Sequence, residues 1–114
     1  MTEHVEVERL DDALVVHFHD SKITGELAIS SLGDELYAIV DRPDCQKLVL
    51  DFSNVDFLSS AMLGKLLSMN RKMKDKGGIL RLCGVCPNIR MVFKYTHLET
   101  ILDIRDTEQD AVEG

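Results

Sequence analysis

Apolar and polar residues near the start of the chain alternate with the two-residue period of β-strands. Val5 and Val7 alternate with glutamates, and residues 13–18 are rich in the β-branched and aromatic residues that favour strands. The two runs are separated by Asp11 and Asp12, which are common turn residues. The pattern therefore predicts a β-hairpin formed by residues 5–10 and 13–18.

The central residues 48–76 combine a buried strand with a long amphipathic helix. Residues 48–50 form a short apolar run that is typical of a buried strand and is followed by a polar turn. Ser59 and Ser60 come next, and either hydroxyl can accept a hydrogen bond from the free N–H groups of a helix that begins there. Apolar residues then recur at spacings of three and four, which places on one helical face Met62, Leu66, Met69 and Met73. We predict that this helix ends at the glycine pair 77–78.

Another helix is predicted to begin at Glu26 and to end before Pro43, since a proline disfavours helical backbone at the residue before it. Its expected core face consists of Leu27, Ile29, Leu32, Leu36, Ile39 and Val40. After the central helix, alternation predicts a strand at residues 79–84, and Pro87 occupies a favoured position in the first turn of a further helix.

The last predicted elements are a strand at residues 101–104 and a helix at residues 107–112. Strands that alternate with helices require crossover connections, so most of the sheet should be parallel. We therefore predict an α/β fold with a mixed, mostly parallel sheet of about five strands and helices packed against it. One domain is expected over residues 1–114, with a core at about 5–112.

Composition places the chain among globular proteins. Its 114 residues are 45% apolar and 29% charged, which is sufficient to bury a core without metal or disulfide. Apolar runs extend over only a few residues, so we expect no membrane insertion, and residues 1–8 lack the apolar segment of a secretion signal. Three cysteines, an odd number, argue for a reducing compartment, and we predict a cytoplasmic protein.

Charge is distributed unevenly within a net charge of −7. Residues 57–95 carry 8 basic and 1 acidic side chain, whereas residues 1–56 carry 4 basic and 13 acidic ones. The predicted central helix holds much of the basic block, namely Lys65, Arg71, Lys72, Lys74 and Lys76. This pattern indicates either a solvated helix face or a docking surface for an acidic partner. Nucleic acid is not an expected partner, because the chain is acidic overall and has few aromatic residues.

The motifs give little support to enzymatic chemistry. Cys83 and Cys86 form a C-x-x-C between a strand and a helix, the context of a thioredoxin-like dithiol, although small core cysteines are also common there. His17 and His19 lie two apart on a predicted strand, but no third ligand lies nearby at metal-site spacing. The serines lack the G-x-S-x-G nucleophile elbow. We therefore predict a non-enzymatic protein without metal or other cofactor, with a thiol oxidoreductase as a weaker alternative.

The segment DFSNVDFLSSAMLGKLL resembles the signature of STAS domains, the fold of bacterial anti-sigma-factor antagonists that also occurs on the cytoplasmic tails of sulfate transporters. The segment KGGILRLCGVCPNIRMVFKYTHLETILDI matches the later strand, helix and final strand of that family. Ser60 matches the serine that partner kinases phosphorylate, whereas Ser59 stands where the family usually has aspartate. The resemblance thus implies phosphorylation at Ser60, with Ser59 as the alternative acceptor.

The resemblance also implies a protein-binding module that acts in signalling and transcription regulation. Its partner would be an anti-sigma factor or a histidine-kinase-like serine kinase. The residues expected to contact this partner are Ser59, Ser60, Ala61, Met62, Gly64, Lys65, Ser68 and Lys72. The alternative is an unphosphorylated scaffold or adaptor subunit, in a stress-sensing complex or on a phospholipid ABC transporter. STAS self-association is a further expectation.

Gly64 has two interpretations. A glycine in the first turns of a helix costs about 0.5–1 kcal/mol relative to alanine, so a compensating reason is expected. It either allows close packing against the sheet or leaves room for the backbone of a partner.

Overall fold

Five strands form the main sheet in the computed structural model of the protein, which describes residues 4–113. In chain order, the seven strands are β1 (Val5–Leu10), β2 (Ala13–Phe18), β3 (Lys22–Ile23), β4 (Lys47–Asp51), β5 (Phe57–Leu58), β6 (Ile79–Cys83) and β7 (Asp103–Arg105). The main sheet has the order β1-β2-β4-β6-β7, in which β1 and β2 are antiparallel and the other pairs are parallel. The predicted mixed, mostly parallel sheet and its opening hairpin are confirmed.

Four helices connect and cover the strands. They are α1 (Glu26–Val40), α2 (Ser60–Asp75), α3 (Pro87–Tyr95) and α4 (Glu108–Glu113). Each begins within one residue of the position that the sequence predicted. The predicted α/β fold class is therefore confirmed.

The alternation of side chains along the central strands divides the core between the two faces of the sheet. Leu48 and Leu50 of β4 face the larger core, which includes buried residues from α1, α2 and α3. Val49 faces the opposite side, where α4 adds Ala111 and Val112 to a small second core. A six-residue helix is thus the main cover of one face of the sheet.

The predicted apolar stripe of α2 is confirmed, since its four members, Met62, Leu66, Met69 and Met73, are fully buried. The core face predicted for α1 is also correct except at Leu27, which is 87% exposed. Leu27 is the second residue of its helix, and in this first turn the apolar face is not covered by the rest of the domain.

The predicted strand at residues 101–104 is displaced in the structure. A 3₁₀ turn at Leu98–Thr100 comes first, and β7 begins only at Asp103. β7 pairs in parallel with β6 over three residues, and Arg81 of β6 also donates to Asp103 Oδ2 at 3.1 Å beside this pairing. Two of the three strand residues, Asp103 and Arg105, are charged, so the strand has no hydrophobic pattern that would reveal its limits.

Strands β3 and β5 were missed by the sequence analysis. They pair in parallel over only two residues each, with Lys22 opposite Phe57 and Ile23 opposite Leu58. Two residues are too few to show a period, yet this small second sheet fixes the turn that leads into α2.

Candidate functional site

The turn into α2 is anchored by backbone hydrogen bonds to the loop before α1. Asp56 N–H donates to Ser21 O at 2.7 Å, and Ser59 N–H donates to Ile23 O at 3.1 Å. The first turn of α2 then closes with a bond of 3.1 Å from Met62 N–H to Ser59 O. The position of the two serines is therefore set by backbone contacts and not by their side chains.

Ser59 and Ser60 have different environments. Ser59 occupies the N-cap position with extended backbone, but its side chain makes no capping hydrogen bond, contrary to the sequence expectation. Its Oγ is buried and has no hydrogen-bond partner among residues 4–113. Ser60 is the first residue of the helix and is exposed. Of the two hydroxyls, that of Ser60 is therefore the more accessible one.

The other predicted contact residues of the first turns divide between surface and core. Ala61 and Gly64 are exposed, and they lie one and four residues after Ser60, so Gly64 and Ser60 are neighbours on one helix face. Met62, in contrast, is fully buried in the main core. Its predicted contribution to a partner surface needs correction. Met62 belongs to the apolar face of α2, and that face lies against the sheet.

Gly64 itself faces open space. A methyl group added at this position would meet no atom within 4 Å. Close packing within the domain therefore does not explain the glycine.

The two lysines of the predicted surface contact α1. Their Nζ atoms lie 5.6 Å (Lys65) and 5.3 Å (Lys72) from the ring centroid of Tyr37, within the range of cation–π attraction. Lys65 also lies across Gly33, where an added Cβ would come within 2.9 Å of the lysine Cε. Lys65 is consequently half-buried and does not extend freely into solvent as its charge alone suggested, whereas Lys72 is exposed.

The remainder of the basic block also divides by role. Lys76 Nζ donates to Val40 O and Arg42 O, the carbonyl groups at the C-terminal end of α1, where a positive charge is favourable. Arg71 and Lys74 are exposed on α2, and Ser68, which precedes them in the helix, is half-buried. The charge available to an external partner is therefore carried mainly by Arg71, Lys72 and Lys74.

An exposed apolar groove adjoins the turn before α2. It has a volume of about 270 Å³ and is lined by Asp56, Phe57, Leu58, Asn88, Ile89 and Val92. Phe57 is 51% exposed and Val92 39% exposed. The sequence analysis did not identify Phe57 as a surface residue. The sequence offered only one signal for it, an aromatic residue two positions before Ser59.

The C-x-x-C motif does not form a reactive dithiol environment. Cys83 is buried in the second core, and burial, followed by the charges of Asp51 and Glu108, raises the pKa of its thiol to about 12. Cys86 occupies the N-cap position of α3 without a side-chain capping bond, and its Sγ lies 3.8 Å from the carbonyl oxygen of Asp56. A thiol oxidoreductase requires a stabilised thiolate, so this geometry argues against that alternative.

A sequence model of the family described as STAS domain matches residues 4–111. The chain belongs to the STAS family. The anti-sigma F factor antagonist of Paenibacillus polymyxa is 30% identical to it over 73 residues, which are 64% of this chain and 62% of that protein. The chain thus matches less than two thirds of that relative.

Solved structures agree with this assignment. The crystal structure of an anti-sigma factor antagonist from Mycobacterium paratuberculosis has a TM-score of 0.82 and 26% identity, and the match covers 95% of this chain and 89% of that chain. An anti-sigma-factor antagonist (STAS) domain protein from Planctomyces limnophilus has the same TM-score of 0.82 at 20% identity, with 94% and 93% covered. The STAS domain therefore has the fold of anti-sigma factor antagonists. Within residues 4–113, no helix is both long and apolar enough to cross a bilayer.

Proposed function

We propose that this STAS domain is a non-enzymatic protein-binding module of the anti-sigma-factor-antagonist type. Its partner is an anti-sigma factor or a related histidine-kinase-like serine kinase, bound in the cytoplasm through the turn into α2 and the helix that follows. The observation that carries this proposal is the open position of Gly64 on the same helix face as the exposed Ser60.

The exposed face of α2 suits close approach by another backbone. Its N-terminal half presents small residues, namely Ser60, Ala61 and Gly64, whereas the large apolar residues of the helix face the sheet. The absence of bulky side chains allows a partner to contact the helix backbone directly. The partner surface we propose therefore retains Ser60, Ala61, Gly64, Ser68 and Lys72, with Lys65 at its edge.

The charge of the exposed face of α2 changes along the helix. The small residues lie at the start of α2, and the exposed Arg71, Lys72 and Lys74 lie in its second half. Since the whole chain carries a net charge of −7, a local basic surface would orient an acidic partner on this helix.

Ser60 is the phosphorylation site in this proposal. A kinase can reach its exposed hydroxyl, whereas the Oγ of Ser59 is buried. A phosphate at the first position of α2 would carry close to two negative charges into the partner surface, where they are costly to desolvate. Phosphorylation would therefore release the partner while the fold stays intact.

Incubation with ATP and a candidate serine kinase of the histidine-kinase-like class tests this proposal, with the phosphate located by mass spectrometry. Phosphate on Ser60, together with loss of the complex, supports the switch. An unmodified protein that still binds the kinase supports the alternative, an unphosphorylated scaffold or adaptor. Ser59 favours that alternative, since it replaces the aspartate usual in the family. The absence of both binding and phosphate contradicts the proposal.

A further inference from the structure

Three acidic side chains from three separate elements surround His17 on the α4 side of the sheet. Glu8 lies on β1, Asp51 at the end of β4 and Glu108 at the start of α4. Their sequence positions give no metal-site spacing, since Glu108 is remote from the hairpin along the chain. The fold brings them together, because β1, β2 and β4 are neighbours and α4 packs across the same face.

The two ring nitrogens of His17 face different carboxylates. Nδ1 lies 3.3 Å from Asp51 Oδ2, and Asp51 is itself held by the Ser53 N–H, which donates to its Oδ1 at 2.9 Å. A proton on Nδ1 that is donated to Asp51 leaves the lone pair on Nε2. A carboxylate that orients a histidine in this way is the usual partner of a metal-binding imidazole.

The other nitrogen, Nε2, faces the remaining two acids. It lies 3.2 Å from Glu8 Oε1 and 3.8 Å from Glu108 Oε2, and the three potential ligand atoms all lie within 4.8 Å of one another. Ligands at zinc bond lengths of roughly 2.0–2.2 Å in a tetrahedron are separated by about 3.3–3.6 Å. The two separations from Nε2, 3.2 Å and 3.8 Å, are close to that range, and the two glutamate oxygens, which lie within 4.8 Å of each other, need a side-chain movement of about 1 Å at most to reach it.

The local charge also favours a cation. Among residues 4–113, Glu8 and Glu108 each form an ion pair with His17 and with no lysine or arginine. Three carboxylates therefore converge on one imidazole, which is neutral in the form that binds a metal.

We propose that Glu8, His17 and Glu108 bind a divalent transition metal ion, for which zinc is the best fit, with Asp51 as the residue that positions His17. One nitrogen and two carboxylate oxygens fill three positions and leave a fourth for water or for a side chain of another protein. An imidazole ligand disfavours Mg²⁺ and Ca²⁺, which prefer all-oxygen sites. The ion would join α4 to the opening hairpin across the small second core.

Zinc chloride is the probe, titrated by calorimetry into chelator-treated protein. We expect one zinc ion per chain in the wild type and at least a tenfold loss of affinity in His17→Gln and in Glu108→Gln. Asp51→Asn should weaken binding by roughly 10–100-fold, as for other residues that orient a metal ligand. Co²⁺ in place of zinc should give the intense visible absorption of a tetrahedral site in the wild type, and that absorption should be lost with His17.

His4→Gln is the matched control. His4 also lies between two carboxylates, with Nδ1 3.1 Å from Asp20 Oδ2 and Nε2 3.9 Å from Glu35 Oε2. Because each ring nitrogen of His4 faces a different carboxylate, no single position lies within bonding distance of a nitrogen and both acids. The His4→Gln variant should therefore bind zinc like the wild type. Thermal melts without metal establish that each variant is folded. A wild type that does not bind zinc, or a folded His17→Gln variant that binds it unchanged, overturns the proposal.

Discussion

Replacement of Gly64 by alanine should raise stability and weaken partner binding at once. Gly64 is the fifth residue of α2, within the helix, and an added methyl group would meet no atom within 4 Å. The substitution therefore adds helix propensity without a steric cost inside the domain. Only a partner that approaches this turn would encounter the new methyl group.

The stability gain follows from helix propensity. Alanine is favoured over glycine in a helix interior by about 0.8–1.0 kcal/mol, and the open surroundings leave that difference uncompensated. For a domain of this size, a gain of about 1 kcal/mol corresponds to a rise in melting temperature of roughly 4 °C. Gly77→Ala is the contrasting control, since Gly77 has a φ of 73°, which strains an alanine, and it should destabilise the domain without affecting the partner surface.

The assay combines a thermal melt with calorimetric titration against the partner proposed above, a candidate anti-sigma factor or serine kinase. A methyl group that prevents close backbone approach should weaken the complex by about tenfold or more, equivalent to about 1.4 kcal/mol. If Gly64→Ala is more stable yet binds as well as the wild type, the turn is not in the interface. If the variant is less stable, the inference that Gly64 faces open space is wrong.

Three further predictions concern the same helix and the C-x-x-C motif. Ser60→Asp should melt within a degree or two of the wild type but lose the partner, whereas Ser60→Ala should bind constitutively; equal binding by both would end the switch hypothesis. Charge reversal at Arg71 and Lys74 should slow association and reduce its salt dependence with little change in melting temperature, and an unaltered association rate would show that these charges are only solvated. Iodoacetamide at pH 8 should label Cys86 well before the buried Cys83, a result checked by peptide mass mapping and contradicted by equal labelling.

The sequence predicts those parts of the fold that follow from hydrophobic periodicity over several residues. The strands of the hairpin and the helices α1 and α2 have such a pattern, and their predicted positions were correct. The pattern fails for β3 and β5, which are two residues long, and for β7, which is three residues long and mostly charged. It also fails at Leu27, because periodicity identifies an apolar face but does not show how far that face is covered.

The candidate site is less predictable, because its properties depend on contacts between distant residues. The family resemblance identified Ser60, but only the structure distinguishes its exposed hydroxyl from the buried one of Ser59. Lys65 looked like a surface charge until its contact with Tyr37 was known. The acids around His17 come from three elements, and no spacing in the sequence joins them.

The turn into α2 departs from what stability alone would favour in three independent ways. The buried Oγ of Ser59 has no hydrogen-bond partner among the described residues, a condition that costs about 1–3 kcal/mol. Gly64 costs the helix about 1 kcal/mol relative to alanine, although its surroundings would accommodate a methyl group. Half of the surface of Phe57 is exposed to water. On the buried side of the same helix, in contrast, the stripe of Met62, Leu66, Met69 and Met73 is fully covered. Local features that oppose stability tend to concentrate where a protein functions. Their concentration within eight residues, around the serine that resembles a phosphorylation site, is therefore a physical argument for an interface there that does not depend on the family resemblance.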